Sequence, residues 1–242
     1  MSPRILVAGC LVVIVSIHQP HVFPWLGYVD KMAKSDVFIL FDNAQYVKHE
    51  WQNRNYVKSP NGKVFVTIPV AKSRLSTSIA EKRTRPCKEW HGATLEKLSS
   101  YYRTTRFWPQ LGEQVSGALK TRTDSLVDIA TSMLAVLCDH FSIKARICRA
   151  SQLAPRQGNA SEYLADLVQQ VGGTHYLSGE GGHGYLELNQ FEKSGIDVVW
   201  QSFSHPTYDQ QFMELGFIPN LFALDLLFNH GPRSRSILNA SV

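Results

Sequence analysis

The chain has few cysteines, and it lacks the long apolar runs, repeats and low-complexity tracts that mark several classes of protein. Its four cysteines form no CxxC pair and share no zinc-ligand spacing with histidine, which excludes a zinc finger or a disulfide framework as the basis of the fold. No apolar run is as long as a membrane-spanning helix requires. These absences predict a globular protein of the reducing cytoplasm without a membrane span.

The apolar run 5–15 follows Arg4 and so imitates the start of a signal peptide. No small-residue cleavage site follows it, and it leads directly into a polar loop that cleavage would separate from its strand. We interpret residues 1–11 as an N-terminal extension that the fold can lack, and residues 12–17 as the first strand of the fold.

The positive charge of the chain is modest, a formal +5 at pH 7, and much of it lies in one stretch. We interpret this stretch as a solvated loop, with the cations Lys72, Arg74, Lys82, Arg83, Arg85 and Lys88. Nucleic-acid binding is not expected, because such a role would need cations interleaved with exposed aromatic side chains. A small anionic substrate, such as a nucleotide-linked sugar, fits the excess charge as well.

Apolar runs alternate with helix-compatible segments at both ends of the chain. The pattern predicts helices at 25–34 and 161–171, and strands at 12–17, 37–41, 145–149, 175–177 and 197–201. Continuous β-branched runs are typical of strands buried on both faces of a parallel sheet. The fold class is therefore predicted to be α/β, with a mainly parallel sheet covered by helices, Rossmann-like or nucleotidyltransferase-like.

The middle of the chain is predicted to be different. Residues 53–57 and 63–70 read as a hairpin, and helical spacing recurs over 90–119 and 125–140. Thr123 or Asp124 is the candidate cap of the second of these helices, Ser161-Glu162 the start of a later one, and Gly172-Gly173 its stop. A last apolar helix is predicted at 221–228. We expect a single domain over 1–242, with 90–140 as a helical insertion.

The loop that follows the first predicted strand carries the first candidate site. His18 can serve as a general base or as a contact for a phosphate or an oxyanion, because imidazole titrates near neutral pH, and His21 competes for that role. Pro20 and Pro24 restrict the loop to few conformations. Gln19 is a candidate donor, and Trp25 and Tyr28 are either pocket walls or core aromatics.

Two further polar segments follow the second predicted strand. Asp42 comes directly after that strand, with Gln45-Tyr46 close behind, and an acid there can bind a hydroxyl, orient an imidazole or simply cap a turn. The segment Asn53-Arg54-Asn55 supplies amides and a guanidinium. Arg54 can clamp a phosphate or a carboxylate, or it can pair with Asp36 or Asp42 as a structural residue.

Two late loops complete the candidate set. A glycine-rich segment runs from Ser178-Gly179 to Tyr185, without the spacing of a nucleotide-binding motif or of a nucleophile elbow. The segment 203–211 repeats the chemistry of the first loop, with His205, Tyr208 and Gln211. If the first and last loops face each other across a cleft, His18 and His205 can divide acid and base work; if not, each is a hydrogen-bonded structural histidine. No metal site is predicted, because His18, His21, His205 and Asp42 lack ligand spacing.

These blocks together resemble the WbqC-like protein family. The resemblance spans nearly the whole chain and lies in 18–28, 36–46, 51–55, 62–70, 176–179, 203–211 and 217–229. It implies a role in surface-polysaccharide or natural-product biosynthesis, namely formation of an amide between an amino acid, glycine in particular, and the amine of an amino sugar. On that reading His18 or His205 is the base with Asp42 nearby, Gln19 and Asn53 are donors, and Arg54 and Ser178 face an anionic group.

Two other function classes stay open from the sequence. The first is an ATP-dependent nucleotidyl or adenylyl transferase that activates a carboxylate. The second is a non-catalytic module that binds a sugar or a nucleotide through its aromatic, amide and arginine side chains. The sequence identifies a small-molecule substrate as the expected partner and names no cofactor and no oligomeric state.

Overall fold

The computed structural model describes residues 6–7, 10–153, 155 and 158–240. Its strands are β1 (Leu6–Val7), β2 (Cys10–Leu11), β3 (Ile14–His18), β4 (Val37–Leu40), β5 (Arg54–Ser59), β6 (Gly62–Thr67), β7 (Arg146–Arg149), β8 (His175–Ser178) and β9 (Asp197–Trp200). Its α-helices are α1 (Leu26–Ala33), α2 (His91–Tyr102), α3 (Trp108–Leu119), α4 (Leu126–His140), α5 (Ala160–Gln170), α6 (Leu188–Lys193), α7 (Leu224–His230) and α8 (Ser234–Asn239).

The chain divides into two compact units that interleave along the sequence. The sheet unit comprises the chain up to Gln19, Lys31–Phe41 and Lys144–Ser202. The hairpin unit comprises Pro20–Asp30, Asp42–Ile143 and the chain from Phe203 onward. A single domain over 1–242 stays a prediction.

The sheet unit is built on a five-stranded parallel sheet of order β7-β4-β3-β8-β9. The central strands are buried, and helices α5 and α6 supply Tyr163, Leu167, Val168 and Phe191 to the core formed with Val15, Ile17, Val37 and Ile39. Burial of such β-branched and aromatic side chains is the main stabilising term in a sheet of this kind. The predicted α/β class with a parallel sheet is confirmed.

The ends of several elements differ from the prediction by a few residues. Helix α5 begins at Ala160 because Asn159 is its N-cap, and the Asn159 side chain and Glu162 form a reciprocal capping box. The helix stops as predicted at Gly172, whose φ of +76° is the left-handed conformation that glycine adopts without strain.

The first strand of the sheet runs over 14–18 instead of 12–17. Of the predicted extension 1–11, the structure describes only the backbone of a short β1–β2 hairpin; residues 1–5 and 8–9 lie outside the described residues.

In the hairpin unit, β5 and β6 pair as an antiparallel hairpin, as predicted, and the turn closes where Ser59 pairs with Gly62. The single helical stretch predicted over 90–119 is wrong: it is two helices, because Pro109 in the first turn of α3 suits a new helix start. Ser125, and neither Thr123 nor Asp124, caps α4. Helices α2, α3 and α4 occupy 91–140, and their description as an insertion stays a prediction.

The last long helix starts later than predicted. The backbone N–H groups of Phe222 and Ala223 donate to the carbonyls of Tyr56 and Pro24 and so make no helical hydrogen bond, and α7 begins at Leu224. No helix in the described ranges is long and apolar enough to cross a membrane.

Burial of His21 makes the stability of the fold sensitive to acid. The side chain is 7% exposed, and burial lowers its pKa from 6.5 to about 4. The unfolded chain therefore binds a proton here as pH falls below 6.5, while the folded chain does not until about pH 4. The stabilisation is complete above pH 6.5 and is lost as pH falls toward 4, by up to about 3 kcal/mol.

We expect the His21→Asn variant to lose less unfolding free energy than the wild-type protein between pH 7.5 and pH 5, as measured by urea denaturation. The matched control is His49→Asn, because His49 is exposed and has a φ of +72°, which asparagine tolerates. The control should keep the wild-type slope with pH. An equal slope in all three proteins would contradict the assignment.

Candidate functional site

The strand order of the sheet unit creates a topological switch point between β3 and β8. From β3 the chain continues to β4 and β7 on one side, and then to β8 and β9 on the other. In open parallel sheets, ligands bind in the crevice at the carboxyl ends of the two strands where the order reverses. His18 is the last residue of β3 and Ser178 the last of β8. We call the carboxyl ends of these two strands the switch-point edge.

The hydrogen bond of the His18 ring indicates which of its nitrogens is basic. Its Nδ1 lies 3.1 Å from the carbonyl oxygen of Gln19. A carbonyl only accepts, so Nδ1 carries the proton of the neutral ring and Nε2 is the basic nitrogen. His18 and Gln19 are both half-buried, and the His18 carbonyl accepts the Phe41 N–H at 2.8 Å. The backbone that presents the imidazole is therefore fixed by the sheet.

Sequence reasoning missed Lys31, which lies at the same edge. Its side chain is 5% exposed, and its Nζ donates to the Ile17 carbonyl at 3.2 Å, at the peptide bond that joins Ile17 to His18. Burial lowers the pKa of the ammonium from 10.5 to about 8. The sequence contains one signal for this position of Lys31. The helix that links the two buried strands is short, so its last turn, which contains Lys31, lies close to the sheet.

The glycine-rich segment after β8 is more closed than the sequence indicated. Residues Glu180–Gly184 form a 3-10 helix, and the N–H groups of Gly182, Tyr185 and Leu186 donate to carbonyls within this segment. Ser178 is 1% exposed and its hydroxyl donates to the Gly179 carbonyl. A Cβ on Gly182 would clash with the Ser178 Oγ and with the Leu186 and Trp200 side chains, so a substitution there would displace these side chains. Tyr185 is exposed. Substrate roles for Ser178, Gly179 and Tyr185 stay predictions.

In the hairpin unit, several predicted site residues are used by the fold. Asn53 donates to the Ile68 carbonyl and accepts the Tyr46 hydroxyl, and Asn55 donates to the Phe23 carbonyl. Arg54 donates to the His49 carbonyl, and its guanidinium lies over the Phe65 ring, 4.3 Å from the centroid. These contacts give the two amides a structural role.

The remaining predicted residues of this unit lie in separate places. Gln45 donates to the Leu75 carbonyl, and Asp42 is buried with its own carbonyl accepting the Ala80 N–H. Trp25 packs edge-on against Phe203, and Tyr28 is 1% exposed, which matches a core aromatic better than a pocket wall.

His205 is held at both ring nitrogens. Its Nδ1 donates to the Pro206 carbonyl at 2.9 Å, so Nε2 carries the lone pair, and that lone pair accepts the Asn220 N–H at 3.2 Å. Burial lowers the pKa of the ring, which keeps it neutral. This geometry supports a structural role, because the lone pair that a base would use is already engaged. A catalytic role for His205 stays a prediction.

A buried carboxylate organises the polar interior of the hairpin unit, and sequence reasoning missed it. Asp225 is fully buried; its oxygens accept the Tyr102 hydroxyl at 2.7 Å, the Tyr208 hydroxyl at 3.0 Å and the Gln210 amide at 2.9 Å. Burial raises the pKa of Asp225 and the hydrogen bonds oppose that shift. Asn229, one turn along α7, donates to the Asp225 carbonyl and exchanges hydrogen bonds with Gln211.

We expect the Asp225 network to be a main source of stability for this unit. Tyr102→Phe removes one hydroxyl from the carboxylate, and the free energy of unfolding should fall by about 2 kcal/mol. Asp225→Ala removes the acceptor of two buried hydroxyls and of one hydrogen bond from the Gln210 amide, and it should cost more than loss of any one of these partners. Urea denaturation measures both losses, with Asp197→Ala, an exposed acid of β9, as the control. A loss for Asp225→Ala no larger than that of the control would contradict this role.

No group of three or more histidine, cysteine, aspartate or glutamate side chains within the described ranges is arranged to hold a metal ion. The geometry therefore offers acid-base groups and a cation at the switch-point edge, and a carboxylate network in the interior of the other unit.

Comparison with known proteins adds the family of the chain. The family model described as "WbqC-like protein family" matches residues 19–237. A protein of Mycobacterium tuberculosis (strain ATCC 25618 / H37Rv), named "Uncharacterized protein Rv1507c", is 30% identical over 227 residues, which cover 93% of this chain and 96% of that protein. The matched range begins at Gln19, directly after His18, and includes the β5–β6 hairpin, Asp225 and Asn229. The chain belongs to the WbqC-like protein family.

Proposed function

We propose that this protein is a transferase of surface-polysaccharide or natural-product biosynthesis, which forms an amide between an amino acid such as glycine and the amine of an amino sugar. The observation that carries the proposal is the arrangement at the Ile17–His18 peptide. There a half-buried imidazole and a buried ammonium of lowered pKa stand at the edge where parallel sheets bind ligands. Such a pair can move a proton and attract an anionic substrate group.

The reaction needs a base, an oxyanion donor and an activated acyl group. In the proposed step, the Nε2 of His18 removes a proton from the ammonium of the acceptor, and the free amine attacks the carbonyl carbon of the activated amino acid. The C–N bond forms and an oxyanion develops, to which the Gln19 amide would donate a hydrogen bond. The oxyanion then collapses and the bond to the leaving group breaks. The acceptor nitrogen loses two protons in all: the one held by His18 passes to the leaving group, and the second, lost after the C–N bond forms, passes to solvent.

Lys31 has a different part in this proposal. Its ammonium supplies positive charge beside the base, which favours a phosphate or carboxylate group of the substrate at the switch-point edge. Because burial lowers its pKa to about 8, substrate binding should weaken as pH rises above that value.

The first test is amide formation by the purified protein, detected by mass spectrometry as addition of one glycyl residue to nucleotide-linked amino sugars. His18→Asn should lower turnover by about 100-fold or more, because general base catalysis contributes at least this factor in most enzymes. Lys31→Met should act mainly on KM, and it should remove the loss of binding above pH 8.

His140→Gln, at the end of α4, is the matched control and should leave turnover unchanged. His205→Asn tests the rival base. Unchanged turnover in His18→Asn together with a loss in His205→Asn would transfer the role to His205, and unchanged turnover in both would refute the acid-base proposal.

A second candidate is ATP-dependent activation of a carboxylate, and the strand order favours it. Sheets in which the order reverses after the first three strands commonly bind nucleotides at the switch point. Release of pyrophosphate from ATP, dependent on the carboxylate substrate, would identify this reaction. Transfer of a preactivated acyl group in the absence of ATP would identify the first.

A third candidate is a non-catalytic sugar-binding module, which a pocket of the hairpin unit favours. The pocket has a volume of about 500 Å³ and is lined by Trp51, Tyr56, Lys63 and residues 218–220. Trp51 is 42% exposed and can stack on a sugar ring. Sugar binding without turnover, lost in Trp51→Ala and kept in His18→Asn, would favour this function.

A further inference from the structure

We propose that the loop 71–83 of the hairpin unit is a binding site for a phosphate or diphosphate group. The loop encloses a pocket of about 510 Å³, which we call the basic pocket; its walls include Lys72, Ser73, Arg74 and Arg83. This site is separate from the switch-point edge in its residues and does not rest on the proposed function. It revises the interpretation of these cations as an ordinary solvated loop.

The cations of the basic pocket are available to a ligand. Lys72, Arg74 and Arg83 are exposed, and within the part of the chain that the structure describes, none of their side chains forms a hydrogen bond or an ion pair. A guanidinium presents two parallel N–H donors in the geometry of a phosphate edge. Two guanidiniums and one ammonium around one concavity are therefore suited to an oxyanion with several acceptor atoms.

The one carboxylate in the wall is already engaged. An Oε2 oxygen of Glu81 accepts the Ser78 N–H at 3.0 Å and the Ser78 hydroxyl at 2.9 Å. These hydrogen bonds lower the pKa of the Glu81 carboxyl, and they hold the carboxylate against the turn that begins at Ser78. Three cations against one locally bonded acid leave the pocket with a net positive charge.

A buried ammonium contacts two of the residues that line the basic pocket. Lys82 is 4% exposed, and its Nζ donates to the Ala71 carbonyl at 2.8 Å and to the Ser73 Oγ at 2.6 Å. Its third neighbour is the ring of Tyr46, 4.5 Å away, and none of the described carboxylates pairs with it. A buried charge without a counter-ion is costly. An anion in the basic pocket would supply the missing negative charge.

Ser73 connects this ammonium to the pocket. Because its Oγ accepts from Lys82, its own proton is left to point to another acceptor. Ser73 lines the pocket, so its hydroxyl can donate to a bound phosphate oxygen while Lys82 polarises the bond.

The loop is held in shape before any ligand binds. The Ala71 N–H donates to the Arg83 carbonyl at the base of the loop. Three further backbone bonds tie it to the segment 42–46, from Tyr46 to Thr77, from Ile79 to Ala44 and from Ala80 to Asp42. A preformed site loses little conformational entropy on binding.

The phosphate could belong to a soluble diphosphate or to a lipid headgroup. Leu75 is 90% exposed, between Arg74 and Ser76, and an exposed leucine beside cations is a feature of segments that touch anionic membranes. The shared chemistry is the phosphate group, and Leu75 allows the two sources to be separated.

Isothermal titration with inorganic pyrophosphate tests the site itself. We expect the wild-type chain to bind pyrophosphate, and the double variant Arg74→Gln/Arg83→Gln to bind at least tenfold more weakly. Arg103→Gln/Lys144→Gln removes the same charge from exposed positions outside the pocket and should bind like the wild type. Ser73→Ala should weaken binding without the loss of charge. Absence of pyrophosphate binding, or an equal loss in the control double variant, would overturn the proposal.

Vesicle flotation then identifies the source. If the ligand is a lipid headgroup, phosphatidylglycerol vesicles should bind where phosphatidylcholine vesicles do not, and Leu75→Ser should weaken vesicle binding but not pyrophosphate binding. If the ligand is soluble, uridine diphosphate should compete with pyrophosphate and neither kind of vesicle should bind. Either result supports a phosphate site. Weaker pyrophosphate binding by Leu75→Ser would contradict the placement of Leu75 outside the phosphate site.

Discussion

The burial of β3 between two parallel neighbours is the constraint on which the sheet unit depends. A strand covered on both faces has almost no room for polar side chains in its interior, and Ser16, the buried polar residue at its centre, is satisfied by the Leu177 carbonyl and the Ser35 hydroxyl. Polar chemistry is thereby confined to the end of the strand. His18 occupies that end, and Lys31 reaches the same peptide from the helix that follows.

The hairpin unit solves the opposite problem, because it buries a carboxylate among aromatic side chains. Asp225 is stable there only because Tyr102, Tyr208 and Gln210 converge on it, and Phe222 and Phe228 pack around Tyr102. The same segment places Asn229 against Gln211. The apolar helix α7, which contains Asp225, thus also holds the loop that contains Gln211, through Asn229.

The sequence predicted features that depend on local patterns and missed those that depend on packing. The apolar runs identified the strands of the parallel sheet, and so placed His18 and Ser178 at strand ends. The direction of Lys31 depends on how α1 packs, which no local pattern specifies. Tyr102 and Asp225 are 123 positions apart, and their contact follows from tertiary structure alone. Asn53 and Asn55 look like ligand donors in the sequence. The same amide groups serve equally well to donate to backbone carbonyls of neighbouring segments, which is what they do here.

The interleaving of the two units has a consequence for how the chain folds. Strands β4 and β7 are neighbours in the sheet, with Val37 opposite Arg146, yet the segment Asp42–Ile143 of the hairpin unit lies between them in the sequence. Joining such distant segments is slow for an unstructured chain, because a long loop must close before any contact rewards it. The local helices α2, α3 and α4 shorten that loop once they form. This connectivity predicts that the middle of the chain folds first and that β7 pairs with β4 last.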